Sequence, residues 1–245
     1  MDYDSYEFTK MEWCLYTIKG SFSIITVTYL MYRNIFVSLA FLPLLILYLQ
    51  TVRKALIQKR KKQLILEFKE FLYSMIICLG SGYSIENSLP HIIKEMDVLY
   101  PEGGLMSVEI RLIHRRVALG ETTSNAFKQF SDRAGCSAIS LFTASLDIGI
   151  QQGGNLVEVL KENSNMIIDQ VRTQQEIEVL IAEKQFELKF LSMFPFLVLA
   201  LLNYTASTFM EVLYVTWLGR VGMTIAMMII GLGIFISKKL VDQYV

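Results

Sequence analysis

The residues of this chain that could bind a metal or move a proton are two histidines, three cysteines and a scatter of carboxylates. His91 follows Pro90 and has Glu95 four residues on, the spacing of neighbours on one helix face, so it reads as a salt-bridged or surface histidine rather than a ligand. His114 sits among Arg111, Arg115 and Arg116, where a cation would be repelled. Cys14, Cys78 and Cys136 are odd in number and far apart. That fits neither a disulfide framework nor a zinc site, and they read as small buried hydrophobes. Gly80-Ser81-Gly82 and Gly103-Gly104 lack the lysine and the preceding strand of a phosphate loop, and there is no G-x-S-x-G elbow and no H-E-x-x-H pair. Carboxylates beside bases, as in Glu183, Lys184 and Glu187, have the spacing of a solvated helix face with weak ion pairs. The sequence thus names no catalytic residue, no cofactor-binding residue and no metal ligand, and the expectation is a protein that is not an enzyme. Arg111, Arg115, Arg116 and Arg133 are left as charges that could face a partner. Without interleaved aromatics they do not read as a nucleic-acid surface.

The elements that carry these residues are of two kinds. Hydrophobic residues make up 53% of the 245 and charged residues 19%, with zero formal net charge. Part of the chain is therefore apolar enough for lipid, and bulk charge names no partner. The clearest span is 190–210, uncharged between Lys189 and Glu211 and as long as the roughly 20 residues a membrane helix needs. Pro195 near its start is a tolerable kink. A second span, 221–237, lies between Arg220 and Lys238-Lys239 and holds Gly222, Gly231 and Gly233, small residues that let helices approach. Tyr214 and Trp217 in the linker suit a membrane–water interface. Near the N-terminus the pattern allows two readings. One is a hairpin turning at Arg33-Asn34; the other is a single span over 34–50 preceded by an interfacial segment. The expected fold is an all-α membrane protein with four spans, or three. The N-terminal membrane region is 1–50, a cytoplasmic helical bundle fills 51–189, and a C-terminal hairpin with a short tail fills 190–245. Arg53, Lys54, Lys59, Arg60, Lys61 and Lys62, with Lys184, Lys189, Lys238 and Lys239, place the middle and the C-terminus in the cytoplasm by the positive-inside rule. The basic run also suits contact with anionic membrane lipids.

Residues 51–189 hold 17 Lys/Arg and 17 Asp/Glu, little strand alternation, and helical stripes such as Phe68, Phe71, Leu72, Met75, Ile76 and Leu156, Val159, Leu160. A faint repeat runs through them: Gly82-x-Ser84-x-x-Asn87-x-Leu89, Gly120-x-Thr122-x-x-Asn125-x-Phe127, and Gly153-Gly154-Asn155-x-x-Glu158-x-Leu160. A glycine past a helix end takes the left-handed conformation, and a Ser, Thr or Asn two residues later caps the next helix. The pattern predicts helix corners at Gly82/Ser84, Gly120/Thr122 and Gly153/Gly154/Asn155. The corners are 38 and 33 residues apart, room for helices of roughly 12–25 residues.

The order of these elements resembles a known family. The basic run is followed by Gly82-x-Ser84-x-x-x-Ser88-Leu89, Leu119-Gly120-x-Thr122-x-x-x-Ala126-Phe127, Asp132-Arg133-Ala134-Gly135, Gly153-Gly154-Asn155-Leu156-x-Glu158-x-Leu160, Phe194-Pro195 and Leu218-Gly219-Arg220. Over residues 64–236 this is similar to the type II secretion system F domain family, the polytopic platform proteins of type II secretion, type IV pili and archaella. A single domain with C-terminal spans resembles the Tad/Flp pilus branch most. The resemblance implies a multi-pass protein of the prokaryotic cytoplasmic (inner) membrane without enzymatic activity. It would meet a secretion or pilus ATPase, load or extract pilin-like subunits, and pair with itself or with a paralogous platform protein, since longer relatives carry two such domains. A permease subunit is the alternative, disfavoured by the lack of charges inside the clear spans.

Overall fold

The structure, a computed structural model, describes residue 3 and residues 8–33, 36, 43–152 and 156–242. All regular structure among them is α-helix. In chain order the helices are α1 (Lys10–Tyr32), α2 (Leu44–Gly80), α3 (Ile85–Leu99), α4 (Leu105–Ala118), α5 (Thr123–Ala134), α6 (Ser137–Gln152), α7 (Leu156–Thr205), α8 (Ser207–Val215) and α9 (Trp217–Asp242). The chain divides into two compact units. One combines Met1–Glu7 with Arg53–Gln175, the other Phe8–Val52 with Glu176–Val245.

The first unit is a bundle around a phenylalanine core. The stripe read from the sequence on α2 is its centre: Phe68, Phe71, Leu72 and Met75 are buried together with Leu64. Phe127 and Phe130 of α5 and Phe142 of α6 meet them. Phe142 is the hub, edge-on to Phe68 at 5.6 Å, to Phe71 at 6.0 Å and to Phe127 at 5.6 Å. Edge-to-face pairs of this kind add about 0.5–1.5 kcal/mol each beyond the area they bury. Ile139 and Leu146 on the same face of α6 are also buried, so this apolar helix is core rather than membrane.

Each interval between predicted corners holds two helices. Between the first and second lie α3 and α4, of 15 and 14 residues; after the second lie α5 and α6, of 12 and 16. The extra turns fall at Gly103, with φ 93°, and Gly135, with φ 56°. The repeat extends into the packing. The buried positions Ile85, Ser88, Leu89, Ile92 and Met96 of α3 recur 38 residues on as Thr123, Ala126, Phe127, Phe130 and Ala134 of α5, all buried.

The second unit is built of the apolar helices. Among the described residues one helical stretch, Glu158–Thr205, is long and apolar enough to cross a membrane, and Trp217–Gly233 is a shorter apolar stretch. The expected span 190–210 is not one helix. α7 ends at Thr205, Ala206 takes φ −128° and ψ 49°, and α8 starts at Ser207. An uncharged run tells nothing of a backbone break, so the sequence missed it. The linker at 211–220 is mostly helical, turning at Thr216 with ψ 138°. Gly219 makes this turn possible, because a Cβ there would lie 2.6 Å from the Leu213 Cα. Arg220 Nε then donates to the Tyr214 carbonyl at 2.9 Å, placing a cation at the C-terminal end of α8 where the helix dipole favours it. Gly222, Gly231 and Gly233 make no such approach: among the described residues a Cβ there would meet nothing within 4 Å. Cys14 is exposed on α1, against the sequence reading; Cys136 is buried and Cys78 half-buried.

Phe142→Ala removes the hub ring and leaves a cavity among Phe68, Phe71 and Phe127. The expected loss of unfolding free energy is about 3–5 kcal/mol, read as a lowered denaturation midpoint of the detergent-solubilised chain by circular dichroism.

Candidate functional site: the junction of helix corners

Two of the three predicted corners lie side by side. α2 closes on Gly82 (φ 87°), whose N–H donates to the Leu79 carbonyl at 3.0 Å, while the Tyr83 N–H reaches the Cys78 carbonyl at 3.2 Å. α4 closes the same way. Gly120 (φ 94°) donates to Val117 at 2.9 Å, and Glu121 donates to Arg116 at 3.1 Å. Both are the paired bonds of a Schellman turn, which needs a residue at positive φ. Two residues on, Ser84 Oγ accepts from the Asn87 N–H at 3.3 Å and Thr122 Oγ1 from the Asn125 N–H at 3.4 Å. Each corner thus finishes one helix and starts the next within four residues.

The corners are stitched together by side chains. Thr123 Oγ1, at the start of α5, donates to Glu86 Oε1 at the start of α3 over 2.6 Å. Ser124 Oγ donates to Asp147 Oδ1 of α6 at the same distance. Glu121 gathers Asn125 Nδ2 and Gln129 Nε2, each at 2.6 Å, and Arg116 at 3.9 Å. A cleft of about 420 Å³ opens between them, lined by Tyr83, Ser84, Glu86, Glu121, Thr122 and Ile150 among others. Gly153, Gly154 and Asn155, the third predicted corner, lie outside the described residues. Ile150, just before it in the chain, is on this cleft.

The predicted arginines are dispersed. Arg111 pairs with Asp97 on the surface. Arg116 belongs to the corner just described. Arg115 is exposed. Arg133 turns toward Glu109, which is 1% exposed. His91 is exposed, with its ring 5.0 Å from that of Tyr83. Among the described residues no group of three or more His, Cys, Asp or Glu could hold a metal ion.

Sequence reasoning passed over a fourth junction. α4 starts at Gly104, which has no side chain to cap it. Glu67, 2% exposed on α2, takes the place of the cap: its Oε2 accepts from the Met106 N–H at 2.8 Å, and Gln63 Nε2 holds the other oxygen at 2.9 Å. A Cβ on residue 104 would lie 2.7 Å from that Oε2, so the glycine is what admits the carboxylate. The bare Gly103-Gly104 ahead of an apolar helix was the one sequence sign that a cap must come from elsewhere.

The stitch carries a pH signature. The hydrogen bond from Thr123 lowers the Glu86 pKa below the usual carboxylate range, against a smaller opposing effect of burial. A carboxylate with a depressed folded-state pKa stabilises above its unfolded value of about 4.3 and loses that contribution as pH falls through the folded value. The stability gap between the native chain and Thr123→Val is therefore expected to be full at about pH 6 and above and to close in more acid solution. Denaturation midpoints measured across that range test it.

Against known proteins, the family model for "Type II secretion system (T2SS), protein F" matches residues 71–203. Neither the curated proteins nor the solved structures yield a match to this chain. The matched stretch exceeds half of the sequence and runs from the phenylalanine core through both described corners to the apolar part of α7. The chain therefore belongs to the family of type II secretion system protein F, inner-membrane platform proteins of secretion and pilus machines.

Proposed function

We propose that this chain is the multi-pass platform of a Tad-type pilus or related type II secretion machine, coupling a cytoplasmic ATPase to the insertion or extraction of pilin-like subunits. The observation that carries this reading is α7. It is one helix from Leu156 to Thr205, of which the family-matched stretch takes in all but the last two residues, and it contains the boundary between the two compact units, after Gln175. A continuous helix is the simplest rod for passing displacement from a cytoplasmic body to an apolar one.

The accompanying topology has four spans, with the bundle and both termini in the cytoplasm, because the basic residues at 53–62 and 238–239 flank the apolar segments. The N-terminal pair is supported by Arg33, which ends α1 in the left-handed conformation at φ 47°. With one F-type domain, the platform is completed by a second copy or a paralogue. Arg115 and the cleft between the corners are the charged and concave surfaces open to an ATPase or a pilin-like subunit, and the basic run faces lipid headgroups. Residues 51–189 act as a mechanical part and not as an enzyme.

Inserting Gly-Gly after Glu176 breaks the rod at the boundary between the units. Filament assembly or secretion is expected to fall to background, while membrane insertion and expression stay at wild-type level. Pilus counts and membrane fractionation read the two separately, and wild-type assembly by the insertion variant would sink the coupling role.

A further inference from the structure

Tyr3, ahead of the first helix, is 1% exposed. Its backbone N–H donates to the Arg133 carbonyl at 3.2 Å and its hydroxyl to Glu109 Oε1 at 3.1 Å. The Arg133 guanidinium holds the other Glu109 oxygen at 2.5 Å, and the Arg60 guanidinium lies 5.2 Å from the centre of the tyrosine ring. The notch is thus made by three helices of the bundle: Arg60 from α2, Glu109 from α4 and Arg133 from α5. A carboxylate buried as deeply as Glu109 must be matched at both oxygens, and Tyr3 supplies one of the two matches. Burial, and then the charge of Glu109, push the Tyr3 phenol well above its ordinary pKa, so it stays a donor.

We propose that this notch is a self-recognition site for Tyr3 of the same chain: Tyr3 latches the chain ahead of α1 onto the cytoplasmic bundle and makes Phe8–Val52 a strap fastened at both ends. The strap rests on the membrane topology proposed above and sharpens it. A chain that is held on the bundle at Tyr3 and rejoins it at Arg53 crosses the bilayer an even number of times in between. The apolar unit has the matching internal contacts. α1 has 23 residues, about 34 Å at 1.5 Å per residue, enough for a hydrocarbon core of about 30 Å. Midway along it, Gly20 lies so close to Leu45 and Tyr48 of α2 that a Cβ would come within 2.8 Å of both side chains. At its far end the Tyr32 hydroxyl meets Thr224 Oγ1 at 2.9 Å, and the Leu30 carbonyl accepts from the Tyr214 hydroxyl at 2.9 Å, beside the turn between α8 and α9. α1 therefore goes out toward that turn and α2 returns.

The test is tryptic release of an N-terminal epitope tag from the full-length chain. Lys10, exposed at the start of α1, is the first tryptic site. In inverted membrane vesicles Tyr3→Ala is expected to release the tag at least about tenfold faster than the native chain, as befits one lost hydrogen bond to a charged group when cleavage samples the open form. Tyr73→Ala, exposed on α2, should stay at the native rate and excludes general loosening of the bundle. Equal rates for the native chain and Tyr3→Ala in inverted vesicles would overturn the latch alone. Release only by protease added outside intact spheroplasts would overturn the topology beneath it. Neither readout depends on assembly, so the coupling role is judged separately.

Discussion

Each helix end leaves four backbone groups without partners inside the helix, and a bundle of short helices has many ends to close. This constraint shapes the bundle unit more than any side-chain pair does. At Gly82 and Gly120 the solution is local: a positive-φ glycine folds the last carbonyls back onto the chain, and Ser84 or Thr122 caps the next helix. At Gly104 it is not local, and the Glu67 carboxylate crosses from α2 to meet the Met106 N–H. Burying that carboxylate would be costly alone, but the positive end of α4 and the amide of Gln63 compensate it. Once the ends are closed, α2 is fixed against α4, and its phenylalanines can meet those of α5 and α6 in one defined arrangement.

The apolar unit obeys the same rule, and in the proposed membrane topology it does so where water cannot rescue an unmet group. The end of α7 and the short helix after it are closed by polar side chains. Asn203 Nδ2 donates to the Leu199 carbonyl at 3.0 Å and shares a bond with the Tyr214 hydroxyl at 2.9 Å, and Arg220 covers the Tyr214 carbonyl. Gly219 stands here where Gly104 stands in the bundle: a residue whose missing side chain admits a close neighbour. The sequence motif Leu218-Gly219-Arg220 is thus the first turn of α9, which admits the end of α8 and caps it.

What could be read from the sequence was whatever is settled within a few residues. Gly82 with Ser84 and Gly120 with Thr122 are complete within one turn, so their spacing alone predicted them. The stripe of Phe68, Phe71, Leu72 and Met75 comes from helical period, and its burial was foreseeable. The contacts that escaped join distant positions: Glu67 with Met106, Glu86 with Thr123, Tyr3 with Glu109. Nothing local marks such pairs. Arg133 shows the cost. It has no carboxylate at i±3 or i±4, so from sequence it looks available, yet its partner Glu109 waits on another helix. The break at Ala206 escaped for another reason: hydropathy reports where a chain can dissolve, not whether its helix is continuous.

A coupling platform of the proposed kind needs a bundle that moves as one body, since a force applied to one helix is lost if its neighbours slip. The short bonds from Thr123 to Glu86 and from Ser124 to Asp147 bind α3, α5 and α6 at the corner end. Glu67 binds α2 to α4, and Arg133 with Glu109 binds α5 to α4. Every helix from α2 to α6 thus has a polar tie to a neighbour besides its share of the apolar core. Along α7, Ile177, Phe186 and Leu191 are exposed, and Lys184 pairs with Glu187 of the same helix. In the proposed coupling role, the continuity of the α7 backbone, more than any one contact on its surface, would carry displacement of the bundle along that stretch.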